Sequence, residues 1–186
     1  RSKHAVITSV DRDDLPDGGA NHWANTIREV KKLNPETTLE VLIPDFDGKT
    51  ELLDMVIAEK PNIISHNLET VRRLTPQIRT KAKYETSLQV LAYIASKAVV
   101  AKTGIMLGLG ETEDEIIELM QDAFNTGCTI LTIGQYMQPS RKNVAVSAYI
   151  HPDKFAEYKD IGLRMGFKRV ESGPFVRSSY CAENHV

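Results

Sequence analysis

The chain has 186 residues, of which 41% are hydrophobic and 26% charged, and its formal net charge at pH 7 is −2. These values are ordinary for a globular protein, and the near-neutral charge excludes a strongly basic surface of the kind that binds nucleic acid. No apolar run approaches the roughly 20 residues that a membrane-spanning helix needs, so we expect no membrane association.

Five short segments rich in β-branched and aliphatic residues predict buried strands. In chain order they are residues 4–10, 38–44, 62–66, 103–108 and 129–134. Apolar residues at helical spacing follow the strands and predict helices that pack on the sheet. The side chains predicted to face the core are Trp23, Ile27, Val30, Leu52, Val56, Ile57, Leu88, Leu91, Ile94, Ile116, Met120, Ala123 and Phe124.

Two helices carry recognisable end signals. Thr112 and Glu115 form a capping box, which predicts a helix directly after the fourth strand. Residues 151–166 have Pro152 in the first turn and end on Gly166, the usual asymmetry of a helix.

Strands that alternate with helices predict an α/β protein with a parallel sheet. Polar and glycine-rich stretches follow the strands, where barrels and doubly wound folds both place their sites. A complete eight-unit barrel needs about 250 residues, so we expect a partial or truncated barrel. We expect one domain over residues 1–186, with barrel elements to about residue 150 and a C-terminal helix, strand and polar segment over 151–186. Because the chain starts without methionine and reaches a strand almost at once, we expect an N-terminal part to be absent.

Several of these stretches allow a functional and a structural interpretation. Gly18 and Gly19 can bring backbone amides close to a ligand or form a turn before a helix. Asn67 and Glu69 can bind the two hydroxyls of a ribose or cap a helix, while His66 lacks a nearby partner for a metal site.

The acidic stretch at residues 11–15, "DRDDL", can perform acid–base chemistry or bind Mg²⁺, or it can be a loop whose charges pair with each other. The glycines around Gly104 permit a flat ligand over a strand end, although a tight turn before a helix explains them equally well. The sequence contains no nucleophile elbow, phosphate loop or zinc motif, so the residues alone leave the reaction open.

Six stretches in order along the chain resemble the lipoyl synthase family of radical S-adenosylmethionine (SAM) enzymes. They are "VITSVDRDDLPDGGA", "EVLIPDFDG", "HNLETV", "GLGET", "ILTIGQYMQPS" and "SGPFVRSSY". The resemblance implies a partial (βα)6 TIM-like barrel of the radical SAM type, truncated here to about five βα units plus a C-terminal segment.

The resemblance also implies a SAM site. The family's amino-group position corresponds to Gly18, Gly19 and Ala20, and its ribose-binding position to Asn67 and Glu69. The strand beside the adenine corresponds to Gly104, Met106, Gly108 and Glu111, with methionine where the family has isoleucine. The adenine-side backbone of the next strand corresponds to Gln135, Tyr136, Met137 and Gln138.

The family's cysteine motifs for two 4Fe–4S clusters have no counterpart in this sequence. Cys128 is expected to be a core residue, and Cys181 stands where the family reserves no cysteine, so neither replaces those ligands. With only two cysteines, we expect no disulfide framework and a cytoplasmic protein. In the family, a serine of "RSSY" caps the auxiliary cluster. We assign this role to Ser178, with Ser179 as the alternative.

The implied activity is a sulfurtransferase reaction, in which two sulfur atoms are inserted at C6 and C8 of a protein-bound octanoyl group. The implied cofactors are SAM and two 4Fe–4S clusters, and we expect the fragment alone to be inactive. The implied partners are an octanoylated lipoyl carrier domain or the glycine-cleavage H protein, and an electron donor such as flavodoxin or ferredoxin. The alternatives are a biotin synthase-like sulfur-inserting enzyme and a non-catalytic segment that binds a nucleoside or a carrier domain.

Overall fold

The computed structural model describes residues 2–180 and 182, and the predictions for Cys181 lie outside this range. Six parallel strands form one sheet in chain order: β1 His4–Thr8, β2 Thr38–Leu42, β3 Ile63–Ser65, β4 Val100–Leu107, β5 Ile130–Gln135 and β6 Arg169–Ser172. The helices are α1 Ala20–Leu33, α2 Thr50–Ala58, α3 Thr75–Ile78, α4 Tyr84–Ser96, α5 Glu113–Asn125 and α6 Pro152–Met165, with a 3-10 turn at Phe46–Gly48.

This topology confirms the predicted α/β partial barrel. Five βα units lead to β6, which pairs in parallel with β5. Because crossovers between parallel strands are almost always right-handed, this sequential strand order places the helices on one face of the sheet. The sheet does not close, because β1 and β6 each pair with one strand among the described residues. Its concave inner face therefore forms an open lumen, and the carboxyl ends of the strands form one rim.

The hydrophobic core lies between the outer face of the sheet and the helices. In α1, Trp23 and Ile27 are buried as predicted. In α2 the buried residues are Leu53 and Val56, whereas Leu52 and Ile57 are only half-buried. Because α2 is apolar on most of its faces, the spacing of its residues did not determine which face is buried.

The strand bounds differ most at β4, which begins three residues before its predicted start. The predicted strand began at Thr103 and so did not include Lys102, and charged side chains are rarely fully buried. In the structure this lysine lies inside the sheet and is paired with a carboxylate.

The predicted helix end signals are confirmed. Both hydrogen bonds of the Thr112–Glu115 capping box are present at the start of α5. Pro152 opens α6, and Gly166 ends it in the left-handed conformation with φ 111°. No helix in the described part of the chain is both long and apolar enough to cross a membrane.

Candidate functional site

Two cavities open at the carboxyl rim of the sheet. The first, of about 400 Å³, lies beyond the ends of β1, β2 and β3 and is called the β1–β3 cavity. The second, of about 210 Å³, lies between β4, β5 and the C-terminal segment and is called the β4–β5 cavity. Asn67 and Glu69, directly after β3, line both cavities. The larger volume lies within the range of small-molecule sites.

Asn67 and Glu69 form one hydrogen-bonded unit. The amide of Asn67 donates to Oε1 of Glu69 at 3.1 Å. The backbone of Glu69 is in the left-handed conformation, with φ 65°. Two hydrogen bonds to β4 hold it there: the N–H of Glu69 donates to the carbonyl of Gly104, and the carbonyl of Glu69 accepts from the N–H of Met106. Burial raises the pKa of the Glu69 carboxyl above its usual value. The unit offers an amide and a carboxylate at a fixed position, as the binding of ribose hydroxyls requires.

Gly104 leaves space for this unit. A Cβ atom at position 104 would lie 2.7 Å from Oγ1 of Thr132 and 2.9 Å from Oδ1 of Asn67. Separations below about 3 Å are not tolerated between such atoms without movement. Glycine at this position therefore keeps the side chain of Asn67 at the rim of the β4–β5 cavity.

The β1–β3 cavity contains a guanidinium that the sequence analysis did not identify as a site residue. Arg79 lines this cavity with Asn67 and Glu69, and its Nη1 donates to Oγ of Ser87 at 2.7 Å. Burial lowers the pKa of Arg79, and the nearby carboxylates of Glu69 and Asp45 offset part of this effect. Arg79 follows the short α3, where the sequence shows no clear helical or strand pattern.

His66 has a structural role behind this arginine. Its Nδ1 lies 3.0 Å from the carbonyl oxygen of Ile43, so Nδ1 carries the proton. Its Nε2 therefore accepts from the hydroxyl of Ser87 at 2.9 Å. Burial is the main reason that the pKa of His66 falls to about 4, which keeps the ring neutral. Both ring nitrogens are hydrogen-bonded, which leaves no ring nitrogen available for a metal ion.

Gly18, Gly19 and Ala20 lie apart from Asn67 and Glu69. Both glycines have positive φ, and the stretch forms the start of α1. Gly18 lines a smaller cavity of about 120 Å³, which borders the β1–β3 cavity through the shared residues Asp13, Pro44, Asp45, Asp47 and Lys81.

Glu111 is directed toward its own loop. Its Oε1 accepts from the N–H of Gly108 at 2.6 Å and its Oε2 from the N–H of Leu109 at 2.8 Å. Gly108 is itself required at its position, because φ is 98° and a Cβ atom would overlap the carbonyl of Ala148. In this structure, Glu111 therefore orders the turn after β4 and does not face the β4–β5 cavity.

Residues 135–138, at the end of β5 and directly after it, make two kinds of contact. The side chains of Gln135, Tyr136 and Gln138 hydrogen-bond to the segment 143–150 and hold it over the rim. Gln135 and Met137 also line the β4–β5 cavity. The structure thus gathers seven of the predicted site residues around this cavity: Asn67, Glu69, Gly104, Met106, Gln135, Met137 and Ser178.

The acidic loop after β1 is paired with cations. Arg12 binds Asp14 through two hydrogen bonds of 2.7 and 2.8 Å. Nζ of Lys81 lies 2.7 Å from Oδ2 of Asp13. Asp13 lines the β1–β3 cavity, as does Asp11. These contacts favour the structural interpretation of the loop, although it contributes an acidic wall to the cavity.

The C-terminal segment runs back into the lumen. The N–H of Gly173 donates to the carbonyl of Ile133 at 3.0 Å, and the carbonyl of Ser178 accepts from Nζ of Lys102 at 2.5 Å. Ser178 lines the β4–β5 cavity, whereas Ser179 is exposed. Arg177 braces the turn by donating to the carbonyl of Val176 at 2.6 Å.

Cys128 is a core residue, as predicted. It is 1% exposed, and burial raises the pKa of its thiol to about 12.

Among residues 2–180 and 182, no group of three or more His, Cys, Asp or Glu side chains is arranged to hold a metal ion.

Comparison with known sequences gives a consistent result. The sequence model of the radical SAM superfamily matches residues 1–123. The chain is 63% identical over 184 residues to the lipoyl synthase of Parabacteroides distasonis, covering 99% of the chain and 66% of that protein. It is 63% identical to the lipoyl synthase of Bacteroides fragilis, covering 98% of the chain and 64% of that protein. The chain therefore spans slightly less than two thirds of the length of these relatives.

Solved structures with the same fold are much more distant in sequence. A domain of pyruvate-formate lyase-activating enzyme from Bacteroides vulgatus superposes with a TM-score of 0.68 at 12% identity, covering 90% of this chain and 98% of that chain. Coproporphyrinogen III oxidase (HemN) from Escherichia coli, described as a radical SAM enzyme, superposes with a TM-score of 0.68 at 10% identity, covering 98% of this chain and 46% of that chain. At these identities the likeness concerns the fold alone.

Proposed function

Since this chain belongs to the radical SAM superfamily and its relatives at about 60% identity are lipoyl synthases, we propose that the protein is a lipoyl synthase. Its reaction inserts two sulfur atoms at C6 and C8 of a protein-bound octanoyl group. Because the chain spans only about 65% of the length of its relatives, this activity belongs to the protein of full length.

The observation that carries the proposal is the Asn67–Glu69 unit between the two rim cavities. Its amide and carboxylate are held 3.1 Å apart, and the absence of a Cβ atom at Gly104 keeps them accessible. We assign the ribose hydroxyls of SAM to this unit. The adenine then lies on the side of the β4–β5 cavity, beside Met106 and Met137. Four further residues remain assigned to the adenine part of the site, because they order the backbone turns beside it: Gly108, Glu111, Tyr136 and Gln138.

The β1–β3 cavity suits the amino-acid part of SAM. Arg79 presents a guanidinium to it, which would pair with a carboxylate. Asp11, Asp13 and Asp45 also line this cavity, and their carboxylates would attract an ammonium group. The backbone at Gly18–Ala20 remains assigned to the methionyl amino group, for which its carbonyl oxygens are the acceptors, and Asp13 and Asp45 line the cavity beside Gly18 as well.

Members of the radical SAM superfamily use SAM and a 4Fe–4S cluster. The presence of two clusters in this protein is part of our proposal. When bound beside a reduced cluster, SAM supplies the radical chemistry that removes hydrogen from C6 and C8 of the acyl chain. The described residues around the two cavities would bind and orient SAM, and Ser178 would provide a hydroxyl ligand for the auxiliary cluster, which would be the sulfur source.

The substrate partner in this proposal is an octanoylated lipoyl carrier domain or the glycine-cleavage H protein. The electron donor is a flavodoxin or a ferredoxin. The proposed location is the cytoplasm, where thiols stay reduced, and Cys128 is a free thiol in the structure.

The proposal is tested by a sulfur-insertion assay with the protein of full length. The protein is reconstituted anaerobically and incubated with SAM, a reductant and an octanoylated carrier, and the carrier is analysed by mass spectrometry. We expect addition of two sulfur atoms, and its loss in a Glu69→Ala variant. Cleavage of SAM without sulfur insertion into any of the octanoylated carriers would overturn the assignment.

A further inference from the structure

A buried ion pair crosses the lumen of the partial barrel. Glu40 on β2 and Lys102 on β4 lie 62 positions apart in sequence, and Nζ of Lys102 lies 2.8 Å and 3.0 Å from the two carboxylate oxygens. The two side chains are 0% and 1% exposed. Ser65, on the strand between them, donates its hydroxyl to Glu40 at 2.7 Å. The pair thus joins three neighbouring strands on their inner face.

The same ammonium group reaches the C-terminal segment. Nζ of Lys102 donates to the carbonyl oxygen of Ser178 at 2.5 Å. This segment enters the lumen through the backbone hydrogen bond from Gly173 to Ile133, five residues earlier. Packing is close along its path, because a Cβ atom at Gly134 would overlap the carbonyl oxygen of Val176. The segment is therefore held at both ends by the sheet.

Stability alone does not explain a lysine at this position. Two charges removed from water lose their hydration, and replacing a buried ion pair by apolar residues is often neutral or stabilising. A charge-assisted hydrogen bond to a carbonyl fixes the position of an irregular segment in a way that an apolar side chain cannot. The carbonyl of Ser178 also needs a donor, because it lies away from the ladder of the sheet.

We propose that Lys102 is a positioning residue, whose ammonium group holds the carbonyl of Ser178 and so places Ser178 in the wall of the β4–β5 cavity. Glu40 keeps the ammonium group aligned. The contact between Lys102 and Ser178 supports the anchoring by itself. The reason for the anchoring, which is to place a cluster ligand, rests on the proposed function.

The anchoring is tested by hydrogen exchange on the chain in three variants. Lys102→Met replaces the lysine by an uncharged side chain that is one atom shorter. The buried carboxylate of Glu40 then keeps the hydroxyl of Ser65 at 2.7 Å and the ring of His4 at 3.8 Å but loses its ammonium partner, which destabilises the whole fold. Glu40→Gln combined with Lys102→Met removes both charges and is expected to recover most of the melting temperature. Lys159→Met is the control, because it removes a half-exposed lysine that lies 3.6 Å from Glu171.

In the double variant we expect the amides of residues 176–180 to exchange at least tenfold faster, while β5 keeps the exchange of the parent. Trypsin cleavage after Arg177 should accelerate in parallel, and the Lys159→Met control should match the parent in both measurements. Parental exchange and cleavage in the double variant would overturn the anchoring role. Equal acceleration across the whole chain would overturn it as well, because it would indicate general loosening.

A second measurement separates this inference from the proposed function. In the protein of full length, reconstituted with iron and sulfide, the electron paramagnetic resonance signal of the reduced auxiliary cluster is compared between Ser178→Ala and the double variant. We expect both to change the signal in the same way. If exchange shows the release of the segment but neither variant alters the signal, the anchoring stands and the ligand assignment of Ser178 is wrong.

Discussion

Gly104 and Asn67 are in such close contact that a Cβ atom at position 104 would lie 2.9 Å from Oδ1 of Asn67. The glycine therefore determines where the amide of Asn67 can lie, and through the amide it determines how the carboxylate of Glu69 is presented. We expect Gly104→Ala to displace the amide and weaken the binding of an adenosyl ligand at least tenfold.

This prediction can be measured by ligand-observed NMR titration of the chain with S-adenosylhomocysteine, for which we expect a dissociation constant in the high micromolar range or weaker. The matched control is Gly173→Ala, because a Cβ atom there meets Val176 at 3.4 Å, an ordinary contact distance. Equal binding by Gly104→Ala and the parent would remove Asn67 from the ligand site.

The buried carboxyl of Glu69 predicts opposite effects on stability and binding. Because its pKa is raised by burial, its contribution to stability is fully present below the ordinary pKa of a glutamate and is lost as the pH rises through the raised value. Glu69→Gln should therefore melt at a higher temperature than the parent at neutral pH, and it should bind the adenosyl ligand less tightly.

Melting curves between pH 4 and pH 8 check the sign of this effect. Glu115→Gln is the control with the opposite behaviour, since Arg73 and the capping interactions lower the pKa of Glu115 to about 2, so its stabilisation is lost in acid. A Glu69→Gln variant that is less stable than the parent at pH 7 would contradict the account of this carboxyl.

Arg79 should discriminate between ligands by their carboxylate. We expect Arg79→Gln to weaken binding of S-adenosylhomocysteine about tenfold and to leave 5′-methylthioadenosine, which has no carboxylate, unaffected. Calorimetric titrations with both ligands measure the difference. Arg73→Gln is a suitable control because Arg73 pairs with Glu115 on the outer surface. Equal losses for the two ligands would show that Arg79 supports the fold of the cavity rather than the carboxylate.

Local patterns in the sequence were sufficient to predict the order of the elements and the type of sheet. The Thr112–Glu115 box and the Gly166 end signal were predicted correctly because each depends on neighbours within one helical turn. Asn67 and Glu69 are also close in sequence, two positions apart, and their side chains are hydrogen-bonded, but their role in ligand binding stays a prediction. Short-range signals of this kind do not depend on which distant segments of the chain come into contact.

Long-range pairing accounts for what the sequence did not reveal. Lys102 lay outside the predicted fourth strand, and it can be buried in β4 because it pairs with Glu40 on another strand. Arg79 became a site residue because α3 turns it toward the ends of β1 and β3. The carboxylate of Glu111 turns back to its own loop, since two amide groups there require acceptors.

Cys128 should be chemically inert in the folded chain. With a pKa of about 12, on the order of one thiol in 10,000 is ionised at pH 8, and the side chain is buried. We expect iodoacetamide to leave Cys128 unmodified in native conditions and to label it fully in urea, as read by peptide mass spectrometry. Rapid labelling in the native chain would contradict its placement in the core.

The two serines of the C-terminal segment test the central claim most directly, because the structure separates them. Ser178 lines the β4–β5 cavity and is held through its carbonyl by Lys102, whereas Ser179 is exposed. Their hydroxyl groups are therefore expected to differ in function despite being adjacent in sequence.

The measurement is sulfur insertion into an octanoylated carrier by the reconstituted protein of full length, with iron content determined for each variant. We expect Ser178→Ala to retain part of its auxiliary cluster iron but to form no lipoyl product, and Ser179→Ala to lose at most a few-fold in rate. Lipoyl formation at the parent rate by Ser178→Ala, with or without a loss in Ser179→Ala, would contradict the assignment of Ser178 as the ligand.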